Sequence, residues 1–343
     1  MTMVTRRTRI IADIAPDAVP YDALMEEGRP VVLKGLARHW RLVREGGASP
    51  EAAAAYLKSF SAGQPVVGFT GAPEIEGRFF YNDGLTGMNF AASRVDLAEF
   101  LDRIVAHIAD HAAPSFYIGS TGIDTYLPRL RGENDLVLDH PMFAASPPLV
   151  SIWIGNRTLT SAHYDMSNNL ACCMVGRRRF TLFPPDQVHN LYPGPLEPTP
   201  GGQVVSMVDP RAPDLERYPR FAEAAAAGEI AELEPGDVLF YPALWWHQVE
   251  ARDAFNVMIN YWWNTSPGFM DTPQTTLLHA LISLRDRPDP EKQAWRELFE
   301  YYVFGPAAQA GAHLPEHARG NLAPMDEMKA RRLRAQLLNR LNR

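Results

Sequence analysis

Cysteine is nearly absent from this sequence. Two of its 343 residues are cysteine, Cys172 and Cys173, and they are adjacent. Neighbouring cysteines form no disulfide framework, and such sparse usage suits a reducing setting, so a cytoplasmic protein is expected. An excess of positive charge is missing too. Lys and Arg total 33 against 40 Asp and Glu, giving a net charge of −7. With no global basic footprint, nucleic acid is not an expected partner. No apolar run approaches the roughly 18 residues that read as a membrane span, so no membrane partner is expected either. Arg6, Arg7 and Arg9 are not followed by the roughly 7–15 apolar residues of a secretory leader, so none is expected. Internal repeats and low-complexity tracts are also lacking.

Apolar residues are plentiful, at 46% of the chain, enough for one large domain or two ordinary ones. In the first 62 residues, 30–33 reads as a strand and 50–60 as an alanine-rich helix. Strand candidates follow at 65–69 and 77–81. Val95, Leu97, Phe100, Leu101, Ile104 and Ile108 then recur at helical spacing, with Ser93 as the expected N-cap. From about 115 to 265 short β-rich runs succeed one another, at 115–118, 149–154, 170–175, 178–183, 237–241 and 255–262. Turn clusters such as Pro184-Pro185-Asp186 and Pro235-Gly236-Asp237 punctuate them, which suggests an antiparallel barrel or sandwich. A short helix is expected at 221–228. Beyond 266 the texture is helical. Asp271-Thr272-Pro273 and Asp289-Pro290 each put a cap residue before a proline. Trp295, Leu298, Phe299 and Tyr302 share one helix face, and Leu333, Leu337 and Leu341 form a stripe among arginines.

The chemistry concentrates in His163-Tyr164-Asp165 and in Leu244-Trp245-Trp246-His247-Gln248. On a strand, residues i and i+2 share a side, so His163 and Asp165 can converge while Tyr164 points elsewhere. With His247 brought in from a distant strand, two imidazoles and a carboxylate can hold one face of iron(II) and leave positions open. Taken alone, His-x-Asp also reads as surface polarity, and His247 as a core histidine beside tryptophans. His189, His279, His313 and His317 have no partners at ligand spacing.

The surroundings discriminate between these readings. Thr160 to Asp165, Asn169, Phe183-Pro184-Pro185-Asp186-Gln187, Leu191-Tyr192-Pro193, the segment 213–219, Pro235-Gly236-Asp237-Val238-Leu239, Trp245-Trp246-His247 and Asn260-Tyr261-Trp262 keep one order across about 115 residues. In this the chain resembles the JmjC-type, cupin-like oxygenases. Within them it is most similar to the asparaginyl hydroxylase that inhibits hypoxia-inducible factor. The resemblance implies a mainly β fold with flanking helices: a double-stranded β-helix (jelly-roll) core over about 115–265 within a domain of 1–265. A C-terminal helical segment, 266–343, would build a homodimer. It implies iron(II) held by His163, Asp165 and His247, with 2-oxoglutarate as co-substrate and O2 consumed. A C–H bond of a protein side chain or small molecule would be hydroxylated, with succinate and CO2 as co-products. The presence of Asp165 favours hydroxylation over halogenation.

By the same resemblance, Tyr117, Thr160, Asn169, Asn260 and Trp262 line the co-substrate pocket, and Trp245 and Trp246 could add apolar wall. The family's carboxylate-pairing lysine falls on Arg178. Arginine could grip a carboxylate bidentately, or signal a shifted pocket or a different oxo-acid; Arg177-Arg178-Arg179 also reads as a solvated basic turn. Residues that grip the asparagine target fall on Gly119, Val204 and Val205, which cannot hydrogen-bond a carboxamide. A shift of alignment at Gly201-Gly202 would bring in Gln203 instead. The same chemistry on a different substrate is therefore expected. The alternative is a non-catalytic metal-binding protein of the cupin type, serving as a binding or sensing module.

Overall fold

The computed structural model describes residues 3–342, and the chain divides into two units, 1–264 and 265–343. Fifteen strands are described: β1 (Arg6–Arg7), β2 (Arg9–Ile11), β3 (Val31–Leu33), β4 (Val66–Gly71), β5 (Arg78–Phe79), β6 (Phe90–Val95), β7 (Ser115–Gly122), β8 (Leu149–Gly155), β9 (Leu159–Tyr164), β10 (Asn168–Val175), β11 (Arg178–Phe183), β12 (Glu229–Leu233), β13 (Val238–Tyr241), β14 (Trp246–Ala251) and β15 (Asn256–Trp263). They form a six-stranded sheet in the order β1-β12-β11-β14-β9-β5 and a nine-stranded sheet in the order β2-β3-β13-β10-β15-β8-β7-β4-β6. Pairing is antiparallel except for β1 with β12, β2 with β3 and β5 with β9. This is the jelly-roll core with flanking helices. Strands from the first 95 residues extend both sheets, so the β core reaches well ahead of residue 115.

Between the sheets lies a core to which Ala171, Cys173, Leu239 and Met258 contribute from one side and Phe180, Leu182, Ala231 and Leu233 from the other. The far face of the large sheet is covered by a second cluster that includes Leu97, Phe100, Leu101 and Ile104 of the helix Leu97–Ala106. Burying each such side chain contributes roughly 1.5–3 kcal/mol. That helix is capped by Asp96, whose carboxylate accepts from the Glu99 amide at 3.0 Å. The expected cap, Ser93, is instead within β6, because the edge strand continues to Val95 before the helix turns. At the expected turn, Gly236 has φ +96°, and a Cβ there would meet Arg38 Cα at 2.7 Å, so the turn takes glycine alone.

In the second unit, helices run over Pro273–Ser283, Asp289–Phe299 and Glu327–Leu341. Thr272 caps the first, its hydroxyl accepting from the Gln274 amide. Asp289 does not cap the second: Pro288 holds that position and Asp289 is already helical, where its charge suits the N-terminus. Among the described residues no helix is long and apolar enough to cross a membrane.

Candidate metal centre and co-substrate cavity

His163 lies on β9 and His247 on β14, and the register pairs these two residues directly. Facing pairs on one side of a sheet hold their Cβ atoms about 5 Å apart, and here the imidazole centroids are 4.3 Å apart. Asp165 follows the end of β9, where its carbonyl accepts from the Leu244 amide at 2.8 Å. One ligand atom from each of His163, Asp165 and His247 lies within 4.8 Å of the others. Among the described residues this is the one such group, and it could hold a metal ion. Tyr164 turns to the other face and packs edge-on against Trp246 at 4.9 Å.

Both imidazoles are oriented by their own backbone. His163 Nδ1 is 2.9 Å from the Ser161 carbonyl and His247 Nδ1 is 3.0 Å from the Trp245 carbonyl. A carbonyl only accepts, so each Nδ1 carries the proton and each Nε2 presents its lone pair, the tautomer a metal ligand needs. Burial, reinforced by the neighbouring His163, pushes the His247 imidazole down to about 4 although Asp165 opposes this. The ring is therefore neutral near pH 7, and Nε2 needs no deprotonation before it can donate to a metal.

A one-residue bulge shapes the neighbourhood. On β14, His247 pairs with His163 and Val249 with Thr160, so β9 carries one residue more than its partner over this stretch. Thr160 and His163, three apart, thereby both line one cavity, which regular alternation would forbid. Its volume is about 40 Å³, and Tyr117, Trp153, Asp165, Tyr241, Asn260 and Trp262 also line it. The Tyr117 hydroxyl bonds Thr160, while burial, the largest influence, raises its phenol. Asn169 is not on this lining. Its Oδ1 accepts from Asn260 Nδ2 at 3.0 Å and its Nδ2 donates to the Ser167 carbonyl, so it orients Asn260.

Arg178 begins β11 and is 2% exposed. Its neighbours pair outward, Arg177 with Asp253 and Arg179 with Glu232. Arg178 does not: its Nε and Nη2 are buried without a hydrogen-bond partner. It is not itself a wall of the cavity, but its charge is felt by Tyr117, which is. Burial lowers its guanidinium, and no carboxylate offsets this. Trp153 Nε1 and Trp262 Nε1 are likewise buried without acceptors, as is Asn260 Oδ1 without a donor. Stranded donors around a cavity suit a ligand rich in acceptor oxygens, since leaving such groups unpaired costs about 1–3 kcal/mol each and more when charged. A linear dicarboxylate with a keto group fits this donor set.

Trp245 and Trp246 do not line the cavity. Trp245 belongs to the core between the sheets and Trp246 to a cluster with Ala162, Phe183 and Phe221. Trp153 and Tyr241 do line it, on β8 and β13, where the sequence shows only β-rich runs with no mark of a site. A larger cavity of about 420 Å³ shares Tyr117, Trp153, Thr160 and His163 with the small one, and Gly119, Gln203 and Val205 reach it. Val205 is bridged to His163, whereas Val204 is buried elsewhere. The two cysteines are buried and free, and burial pushes the Cys173 thiol up to about 12.

Known proteins match parts of this chain. A rat protein, HSPB1-associated protein 1, is 34% identical over 143 residues, 41% of this chain and 29% of that protein. An Arabidopsis thaliana protein named lysine-specific demethylase JMJ31 is 33% identical over 129 residues, 37% of this chain and 23% of its own length. The tRNA wybutosine-synthesizing protein 5 of Danio rerio is 34% identical over 126 residues, 37% of this chain and 33% of that protein. The matched stretch thus spans about a third or less of each of these relatives. The family described as "Cupin-like domain" matches residues 16–269, nearly the whole first unit, and the chain belongs to that family.

Proposed function

We propose that this protein is an iron(II)- and 2-oxoglutarate-dependent dioxygenase that hydroxylates a C–H bond. The observation that carries the reading is a three-residue ligand face, His163, Asp165 and His247, in a cavity whose Tyr117 feels the charge of a buried Arg178 with two unpaired nitrogens. The chemistry the bound pair supplies is O2 activation coupled to loss of CO2 from the 2-oxo acid, leaving succinate and placing one oxygen atom in the C–H bond. A face of three protein ligands leaves the remaining positions of the metal for small molecules.

The chain's own residues have distinct tasks in this reading. His163 and His247 donate through Nε2 because their Nδ1 protons are committed to backbone carbonyls. Arg178 neutralises the far carboxylate of the co-substrate, and the Tyr117 and Thr160 hydroxyls donate to it. Asn260 and Trp262 hold its near end, with Asn169 keeping Asn260 in place. The narrower likeness to the asparaginyl hydroxylase extends to the chemistry and not to the target, given Gly119 and Val205 at the cavity. A pure binding module has no need of a metal face with open positions, which disfavours that alternative.

The test is succinate formation by the full chain with iron(II), 2-oxoglutarate, ascorbate and O2, with and without a pool of candidate substrates. Succinate above a His163→Ala control supports the reading; none, with iron demonstrably bound, overturns it. We also propose that the second unit forms a homodimer, because Leu337, Leu338 and Leu341 are 44%, 55% and 52% exposed along one helix. Sedimentation of a Leu337→Asp, Leu341→Asp chain checks this: a shift from dimer to monomer is expected.

A further inference from the structure

The larger cavity differs from its neighbour in what it lacks. No Asp, Glu, Lys or Arg lines its roughly 420 Å³. Phe69, Phe79, Phe90, Trp153, Val67 and Val205 make most of the wall, with Ser120, Ser161 and Gln203 as scattered polar groups. The three phenylalanines pack edge to face on one another: Phe69 and Phe90 lie 5.4 Å apart at 88°, Phe79 and Phe90 5.2 Å apart at 69°. Rings packed edge to face in this way make an apolar wall. A charged group entering here would leave water and find no counter-charge. The size falls within the usual range for small-molecule pockets, about 300–1,000 Å³.

Gly119 sets the depth. A Cβ at this position would stand 3.1 Å from Phe69 Cε2 and 3.5 Å from Trp153 Cζ3, so any side chain would project among the wall rings. Its φ lies outside the left-handed region, so a larger residue is limited by space and not by backbone strain. Pro200, Gly201 and Gly202 also line the cavity with little side chain, and Val205, another lining residue, is bridged to His163, which ties the cavity to the metal centre.

We propose that this cavity receives the substrate and that the substrate presents a neutral apolar group, aromatic or branched aliphatic, with Gly119 as its specificity-determining residue. This rests on the dioxygenase reading for the reaction, but the cavity's preference can be measured apart from it. The probe is N-phenyl-1-naphthylamine, a neutral fluorophore, titrated into the full chain. Saturable one-to-one binding is expected. Gly119→Leu should weaken it tenfold or more and Gly119→Ala two- to threefold, the second variant guarding against misfolding of the first. Competition by 3,3-dimethylbutan-1-ol and by choline, which have the same shape but differ in charge, completes the test: the alcohol should displace the probe and choline should not. Absence of saturable binding, indifference to both Gly119 variants, or stronger displacement by choline would overturn the inference. Manganese(II) binding, read by electron paramagnetic resonance in the same samples, separates the two readings. If the metal fails to bind while the probe does, the dioxygenase reading falls; if the metal binds and the probe does not, the pocket reading falls.

Discussion

The small cavity beside Asp165 and the larger one beside Gly119 share Tyr117, Trp153, Thr160 and His163, yet a ligand would feel them as opposites. Around the small one, buried donors stand without acceptors, and Arg178 places an uncompensated charge close by. Around the large one, phenylalanines satisfy one another and no charged side chain intrudes. In the first, the protein holds polar groups at a cost that an anion would offset; in the second, the wall is mostly apolar and the shared Trp153 brings an unpaired donor. In the proposed reading, recognition of the co-substrate and choice of substrate are divided between two cavities that share these residues, with His163 common to both.

The largest disturbance of that division is loss of a metal ligand. Asp165→Ala should abolish iron retention and lower succinate formation by more than the roughly 10–100-fold that removing an outer-sphere partner costs. Iron content and turnover on the same sample check this, and probe binding in the large cavity should survive.

Arg178→Met comes next and tests the polar side alone. Removing one partner of a buried charge pair costs about 2–5 kcal/mol, so 2-oxoglutarate affinity should fall about thirtyfold or more. The ligand-free protein should meanwhile become more stable, because a buried guanidinium with no counter-charge is gone. Calorimetric titration and thermal melting read the two effects. Unchanged affinity together with a lower Tm would make Arg178 a structural residue and erase the contrast.

A smaller effect is expected at Asn169→Ala, which frees Asn260 Nδ2 from its 3.0 Å partner. Asn260 would then turn, and 2-oxoglutarate KM should rise a few-fold while kcat holds.

The smallest effect sharpens the comparison from outside. Glu229 Oε1 is also buried and unpaired, but it lines neither cavity and has Arg29 at 3.9 Å. Burial raises its carboxyl above the usual value. The folded chain therefore binds a proton that the unfolded chain has released once pH passes the unfolded pKa. Stability from this group is present at low pH and is lost as pH rises through the folded pKa. Glu229→Gln should keep that stability, gaining about 1 kcal/mol over the parent at pH 7 and nothing at pH 4, as urea unfolding would show. An orphaned polar atom away from a cavity thus answers to pH, whereas Arg178 should answer to ligand.

Legibility followed locality. β11 was readable from 178 to 183 because its alternation and flanking glycine are local, and the helix Leu97–Ala106 announced itself by its apolar spacing. β12 was not: Glu-Ile-Ala-Glu-Leu follows an alanine-rich helix and only pairing with β11 makes it a strand. The triad residues were readable because metal ligation demands particular side chains. That Phe69, Phe79 and Phe90, on β4, β5 and β6, line one cavity with His163 was not legible, since nothing near them in sequence says so.

The sequence by itself determined which residues could ligate a metal, that a glycine turn had to precede β13, and that the first unit would be a β core followed by helices. Each is a matter of side-chain chemistry or of patterns a few residues long. Only the tertiary structure decided that a bulge in β9 turns Thr160 and His163 to one side, that Arg178 alone of three arginines is buried without a partner, and that three phenylalanines wall the cavity beside Gly119. Those outcomes depend on pairing between strands far apart in the chain, where register, and not residue type, settles what each side chain meets.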